Sequence, residues 1–139
     1  MRLSHTVTAA AAALVSGLTL YFAPALAHHA SAPFYDRENQ VEMVGTVTRF
    51  VFRNPHAFLY LDVAGENGQV EEWQVELGAP VSLRRTGWTP ETLSVGTVVQ
   101  VRGAKSRADG SKGLCCVRMT REDGSPIVQG GRVREETVQ

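Results

Sequence analysis

The sequence has no excess of either charge: 14 Lys and Arg residues balance 14 Asp and Glu residues. A protein that binds nucleic acid by bulk charge carries a basic excess or patch, so the balance argues against that class. The sequence also lacks a phosphate-binding P-loop, a Gly-x-Gly-x-x-Gly dinucleotide fingerprint and a Gly-x-Ser-x-Gly nucleophile motif. Its two cysteines are adjacent and match no zinc spacing such as paired Cys-x-x-Cys units. We therefore expect a binding protein more than an enzyme.

The first 27 residues have the composition of a secretory signal peptide. Arg2 supplies a positive start, residues 7–22 form an apolar run, and Ala25-Leu26-Ala27 has small residues where signal peptidase reads them. The alternative is a membrane anchor, since the run is only slightly shorter than the ~20 residues that span a bilayer. The run ends in Pro24 and a small-residue site instead of a charged cluster. This predicts cleavage after Ala27, export through the general secretion route to the periplasm, and no membrane attachment afterwards.

The rest of the chain shows the two-residue alternation of β-strands. Five segments carry this alternation, and they begin near Val41, Ala57, Trp73, Gly96 and Leu114. Between the third and fourth, residues 79–85 have the pattern of a short helix, with Pro80 in its first turn and Gly87 at its end. Three strands, a short helix and two strands is the order of an OB-fold, a five-stranded, partly open barrel. We therefore predict an all-β fold with small helical content, and a small β-sandwich is the weaker alternative.

The chain then divides into four parts. They are a signal peptide (1–27), an N-terminal arm (28–40), an OB-like β domain (41–129) and a flexible tail (130–139). Phe34 and Tyr35 are expected to dock the arm against the domain.

One outward strand face of the predicted domain is aromatic. His56, Phe58 and Tyr60 share it because strand side chains alternate with a period of two. Phe58 and Tyr60 are a candidate ligand-binding platform, as on many OB-folds. Alternatively the arm covers them, which would bring its two histidines toward His56. The inward faces are predicted to form one core from Leu59, Leu61, Trp73, Val75, Leu77, Val99 and Val101.

Signal cleavage after Ala27 would make His28 the first residue of the mature chain. A terminal His offers its α-amine and its imidazole to one metal ion, and one more imidazole completes a three-nitrogen histidine brace. The other histidines of the mature chain are His29 and His56. Nitrogen-rich, tetragonal coordination favours Cu(II), which also tops the divalent affinity order. Cleavage after Ala25 would leave His28 in third position, which is another strong Cu(II) chelate, so both cleavage sites indicate copper.

Acidic and thiol side chains supply the remaining candidates. Glu72, Gln74 and Glu76 share a strand face, and Glu76 is a possible further metal ligand unless this face is simply solvated. Cys115 aligns with core positions, whereas Cys116 is expected to face outward or toward the arm. Adjacent residues of a strand point to opposite faces, so the two sulfur atoms cannot bridge without a distorted strand. Cys116 is then an accidental thiol, a cross-link between chains or a soft Cu(I) ligand.

Several short motifs recur together in this chain. They are the mature start His28-His29-Ala30-Ser31-Ala32, the strand Gly45-Thr46-Val47, the turn Asn54-Pro55-His56-Ala57, the segment Trp73-Gln74-Val75-Glu76-Leu77-Gly78 and the pair Gly87-Trp88. The set resembles an uncharacterised family of exported bacterial proteins that is known as a domain of unknown function, over about residues 28–128. The resemblance implies export and a small β domain, and it supplies no established activity. The chain departs from the family at Ala30-Ser31, where Ser-Phe is usual, and at Cys115-Cys116.

These observations lead to one functional hypothesis and one alternative. The hypothesis is a small periplasmic protein that binds copper through His28 and His56, with His29 or Glu76 as a further ligand, for sequestration or delivery. The alternative is a metal-free binding or interaction module that meets an unidentified periplasmic protein with its Phe58 and Tyr60 face. In a metal-free protein the terminal histidine pair would be a chance feature, and His56 would hydrogen-bond within its own turn or contact an organic ligand.

Overall fold

A computed structural model describes residue 31 and residues 33–128 of the chain. The predicted signal peptide, the predicted ligands His28 and His29, and the predicted tail lie outside the described residues. Within the described part, no helix is long and apolar enough to cross a membrane.

The described chain folds into five β-strands and one short α-helix. In chain order they are β1 (Tyr35–Val51), β2 (Phe58–Ala64), β3 (Val70–Glu76), α1 (Pro80–Arg85), β4 (Val98–Ser106) and β5 (Gly113–Arg121). Pro80 suits the start of α1 because the first N–H groups of a helix have no intrahelical partner. Arg84 and Arg85 occupy its last turn, where positive charge is favourable. The predicted mainly β fold, with a short helix between the third and fourth strands, is confirmed.

The five strands form one sheet that closes into a ring in the order β1-β2-β3-β5-β4. Four of the pairings are antiparallel, and β3 with β5 is the parallel one. The parallel ladder is short, with the pairs Gln74↔Gly113 and Val75↔Leu114. Strand β1 closes the ring because it is long enough to pair with β4 along its first part and with β2 along its second.

The first strand begins earlier than the sequence pattern predicted. We expected an arm up to residue 40, but residues 35–40 are already part of β1. Tyr35 pairs with Ser106, and the register of β1 on β4 then shifts between Asp36 and Gln40. This irregularity interrupts the alternation on which the prediction relied. Phe34, which we expected to dock, is 67% exposed, so the docking prediction is wrong for this residue.

The core lies inside the ring and is built from the inward positions of all five strands. Its most deeply buried side chains are Val47, Leu59, Leu61, Val75, Val99, Val101 and Leu114. Six of the seven predicted core residues are buried, and the seventh, Leu77, is partly buried and packs against them. The prediction that β2 points Leu59 and Leu61 inward is therefore confirmed.

Candidate functional site

The β2–β3 hairpin brings the only described histidine next to a carboxylate. Phe58 pairs with Glu76, and beyond that pair the Ala57 N–H donates to the Gly78 carbonyl at 3.2 Å. The Leu77 N–H also donates to the Ala57 carbonyl at 2.9 Å. These bonds continue the ladder into the turn before β2. His56 therefore lies on the same side of the sheet as Glu76.

The resulting contact joins His56 Nδ1 to Glu76 Oε1 at 2.5 Å. The His56 side chain is 40% exposed and that of Glu76 is 25% exposed. In a neutral imidazole whose Nδ1–H donates to the carboxylate, the lone pair remains on Nε2. The contact therefore turns Nδ1 toward Glu76, and in that neutral form Nε2 is the nitrogen that can accept a hydrogen bond or bind a ligand.

Tyr35 engages the second oxygen of the same carboxylate. Its hydroxyl donates to Glu76 Oε2 at 2.8 Å, which joins the first residue of β1 to the last residue of β3. Burial, and then the hydrogen bond and negative charge of Glu76, raise the pKa of Tyr35 well above its usual range. Tyr35 therefore stays protonated and donates the bond. Both Glu76 oxygens are thus occupied, and the role of Tyr35 was not anticipated from the sequence.

The chain just ahead of β1 is fixed beside the cysteine pair. The Phe34 and Tyr35 N–H groups donate to the Ser31 carbonyl at 3.0 and 2.9 Å, which forms a tight turn. Arg37 Nη2 donates to Ser31 Oγ at 2.8 Å, and this hydroxyl lies 3.8 Å from Cys116 Sγ. Cys116 therefore faces the arm segment, which is one of the two directions expected for it.

The cysteines themselves depart from the predicted strand geometry. Cys115 is buried, as expected for a core residue, and this burial raises the pKa of its thiol, with a further contribution from Cys116. Cys116 adopts a positive φ of 56°, which a non-glycine residue rarely does. The two sulfur atoms consequently lie 2.7 Å apart, instead of on opposite faces of the strand.

These residues meet at one place in the ring, where β1 begins, β3 ends and β5 begins. The pair Val75↔Leu114 sets Glu76 beside Cys115 in the parallel register. We call Tyr35, His56, Glu76, Cys115 and Cys116 the seam cluster.

The remaining predicted site residues lie elsewhere or serve other contacts. Tyr60 is half-buried, and the Arg49 guanidinium lies 3.7 Å from its ring centroid, which covers part of the predicted platform. Phe58 is also half-buried and lies on the same strand face. Glu72 and Gln74 are exposed. Glu76 is the half-buried member of that face, and its carboxylate is held by His56 and Tyr35.

The described residues include no group of three or more His, Cys, Asp or Glu side chains placed to hold a metal ion. The predicted ligands His28 and His29 lie outside this search. One sequence signal does lead to the His56–Glu76 contact. The tight Gly65-Glu66-Asn67-Gly68 loop fixes the hairpin register, and counting back from it brings the turn before β2 opposite the end of β3.

The fold and the seam cluster define a small, mainly β protein with a polar site where its sheet closes. The chain matches the model of a family of unknown function, DUF6152, over residues 16–115. Because this match covers most of the chain, the protein belongs to that family, and the resemblance seen in its motifs is confirmed. No curated protein and no solved structure matches the chain.

Proposed function

We propose that the mature protein binds Cu(II) in the periplasm and sequesters or delivers it. The ligands are the α-amine and imidazole of His28 and the imidazole of His56, with His29 as a further nitrogen donor. The observation that carries the proposal is the hydrogen bond between His56 Nδ1 and Glu76 Oε1.

This hydrogen bond gives His56 the environment of a metal-binding imidazole. A metal-ligating histidine almost always donates its other ring N–H to a carboxylate, a carbonyl or a water, which fixes the tautomer and the ring orientation. Glu76 provides this contact and is itself held by the Tyr35 hydroxyl. We therefore assign Glu76 to orienting His56, not to binding the ion directly as the sequence had suggested.

The chain length between the described residues and the predicted terminus also supports the proposal. His28 precedes Ser31 by three residues, and three residues span at most about 11 Å of extended chain. Ser31 is one tight turn from Tyr35 and touches Cys116. Cleavage after Ala27 would leave only three residues ahead of Ser31, so the proposal requires no long linker.

We further infer that the domain is an OB-fold. The ring order β1-β2-β3-β5-β4, the helix between β3 and β4 and the short parallel β3–β5 ladder support this assignment. OB-folds bind ligands on the face of their second and third strands and at the loop between the first two. His56 belongs to the loop between β1 and β2, and Glu76 ends β3.

A Cu(II) titration of the correctly processed protein tests the proposal. We expect one ion per chain and at least about tenfold weaker binding for His56→Ala. Glu76→Gln should weaken binding by about 10- to 100-fold, the usual cost of losing the carboxylate behind a ligating histidine. Glu72→Gln is the matched control, because it removes an exposed carboxylate from the same strand face.

A second preparation tests the terminal amine. One extra residue ahead of His28 removes the chelate formed by the amine and the imidazole, and binding should weaken sharply while the fold is unchanged. If the extended protein and the His56 and Glu76 variants all bind copper as the processed protein does, the proposal is wrong. The Phe58 and Tyr60 interaction surface is then the better account.

A further inference from the structure

The adjacent thiols of Cys115 and Cys116 form a feature that the proposed copper site does not use. Their sulfur atoms lie 2.7 Å apart, although neighbouring residues of a regular strand point to opposite faces. Cys115 is 4% exposed and Cys116 is half-buried. Cys116 is therefore the more exposed residue of the pair.

The backbone of β5 is shaped to hold this arrangement. Cys116 has a φ of 56°, and the β4–β5 register shifts at the same level, between Arg102 and Ala104. Gly103 lies opposite the distortion, where an added Cβ would come within 2.5 Å of Val117 Cγ1 and 2.8 Å of the Cys115 carbonyl oxygen. The close approach of β4 to the distorted part of β5 therefore requires a residue without a side chain at position 103.

We propose that Cys115 and Cys116 are a redox modification site that forms a vicinal disulfide within one chain. The reacting partner is a disulfide compound or a disulfide-bearing protein, which exchanges with the two thiols. The site needs no copper, so its thiol chemistry is tested apart from the proposed copper binding. It rests on the proposed function only for the periplasmic location. The periplasm proposed above is a compartment in which such oxidants persist.

The exchange proceeds in two steps. The Cys116 thiolate attacks one sulfur of the oxidant, the oxidant's S–S bond breaks, and its other sulfur leaves as a thiolate. Cys115 Sγ then attacks Cys116 Sγ in the mixed disulfide, and the bound half of the oxidant leaves as the second thiol with the Cys115 proton. Two protein thiols are oxidised to one disulfide, and one external disulfide is reduced to two thiols.

The two cysteines have different parts in this sequence because their exposures differ. Cys116 is the attacking residue, since it is the half-buried one and its sulfur faces the Ser31 hydroxyl at 3.8 Å. Cys115 is the resolving residue, since it is buried and its sulfur already lies against that of Cys116.

Glutathione buffers of graded oxidised-to-reduced ratio, followed by acid quenching, alkylation and intact-mass measurement, test the proposal. The folded chain should lose the mass of two hydrogen atoms while remaining monomeric. The disulfide should form at a ratio of oxidised to reduced glutathione at least about tenfold lower than the same chain needs in concentrated urea. The reason is that the fold holds the two sulfur atoms together. Peptide mapping should locate the bond between Cys115 and Cys116.

Two sets of variants separate this outcome from ordinary thiol chemistry. Cys115→Ser should stop at a glutathione adduct on Cys116, whereas Cys116→Ser should react far more slowly because Cys115 is buried. Gly103→Ala, checked for retained fold by circular dichroism, should shift the required ratio toward that of the unfolded chain. The proposal is overturned if the folded chain keeps two free thiols at ratios that oxidise the unfolded chain. It is equally overturned if only adducts or cross-linked dimers form.

Discussion

Glu76 is the residue through which the candidate site is organised. Its two oxygens bind side chains from two other parts of the fold, His56 from the turn before β2 and Tyr35 from the start of β1. The sequence suggested Glu76 and His56 as candidate site residues, because it shows a lone histidine after Asn54-Pro55 and an acidic strand face. It did not identify Tyr35, since that contact depends on where β1 enters the sheet, and a register shift hides this in the pattern.

A pH-dependent test follows from the Tyr35 hydrogen bond. Burial and Glu76 raise the pKa of Tyr35 above its unfolded value of ~10. A raised pKa in the folded state gives stabilisation that is present below ~10 and is lost as the pH rises above it. Tyr35→Phe should lower the free energy of unfolding by about 1 kcal/mol at neutral pH. Its deficit relative to wild type should shrink above pH ~10.

Urea unfolding of both proteins at a series of pH values measures this deficit. A deficit that stays constant through the alkaline range would contradict the assigned bond, because removing the phenol must also remove its titration.

At the scale of elements, the sequence predicted the strands that alternate cleanly and missed the irregular parts. Leu59 and Leu61 in β2 alternate with polar or aromatic neighbours, so their inward direction could be read directly. The early start of β1 and the distortion at Cys116 could not be predicted from the sequence. Both coincide with register shifts against β4, which depend on pairing across the sheet and interrupt the two-residue alternation of the sequence.

Truncation in β2 tests the predicted alternation energetically. Leu61 is fully buried, so Leu61→Ala should lower the free energy of unfolding by about 2–5 kcal/mol. Val70→Ala is the control in the paired strand, because Val70 is 67% exposed, and it should change stability by less than about 0.5 kcal/mol. Chemical denaturation measures both values. Equal effects would show that the inward face of the hairpin is assigned wrongly.

The distorted β4–β5 pairing makes a separate prediction about glycine. A methyl group at Gly103 would overlap Val117 and the Cys115 carbonyl, so Gly103→Ala should lower the free energy of unfolding by about 1–3 kcal/mol. Gly78→Ala is the matched control, because its nearest neighbour is Leu83 at an ordinary 4.0 Å. Thermal or urea unfolding compares them, and a neutral Gly103→Ala would argue against the tight approach of the two strands.

At the scale of the whole molecule, ring closure creates the seam cluster. Strand β1 must reach both β2 and β4, and the short β3–β5 ladder completes the ring. The start of β1, the end of β3 and the start of β5 therefore meet, although they are far apart in sequence. Predicting the strands and the helix was possible from local patterns, whereas the meeting of Tyr35, Glu76 and Cys115 required the closed topology.

We propose that copper binding requires His56 in the folded protein and does not arise from the terminal histidines alone. The most direct measurement compares the Cu(II) affinity of the processed protein with that of a synthetic peptide covering residues 28–37. We expect at least about tenfold tighter binding by the protein, which corresponds to ~1.4 kcal/mol, and we expect His56→Ala to remove this advantage. Equal affinities of peptide and protein, unchanged by His56→Ala, would contradict it.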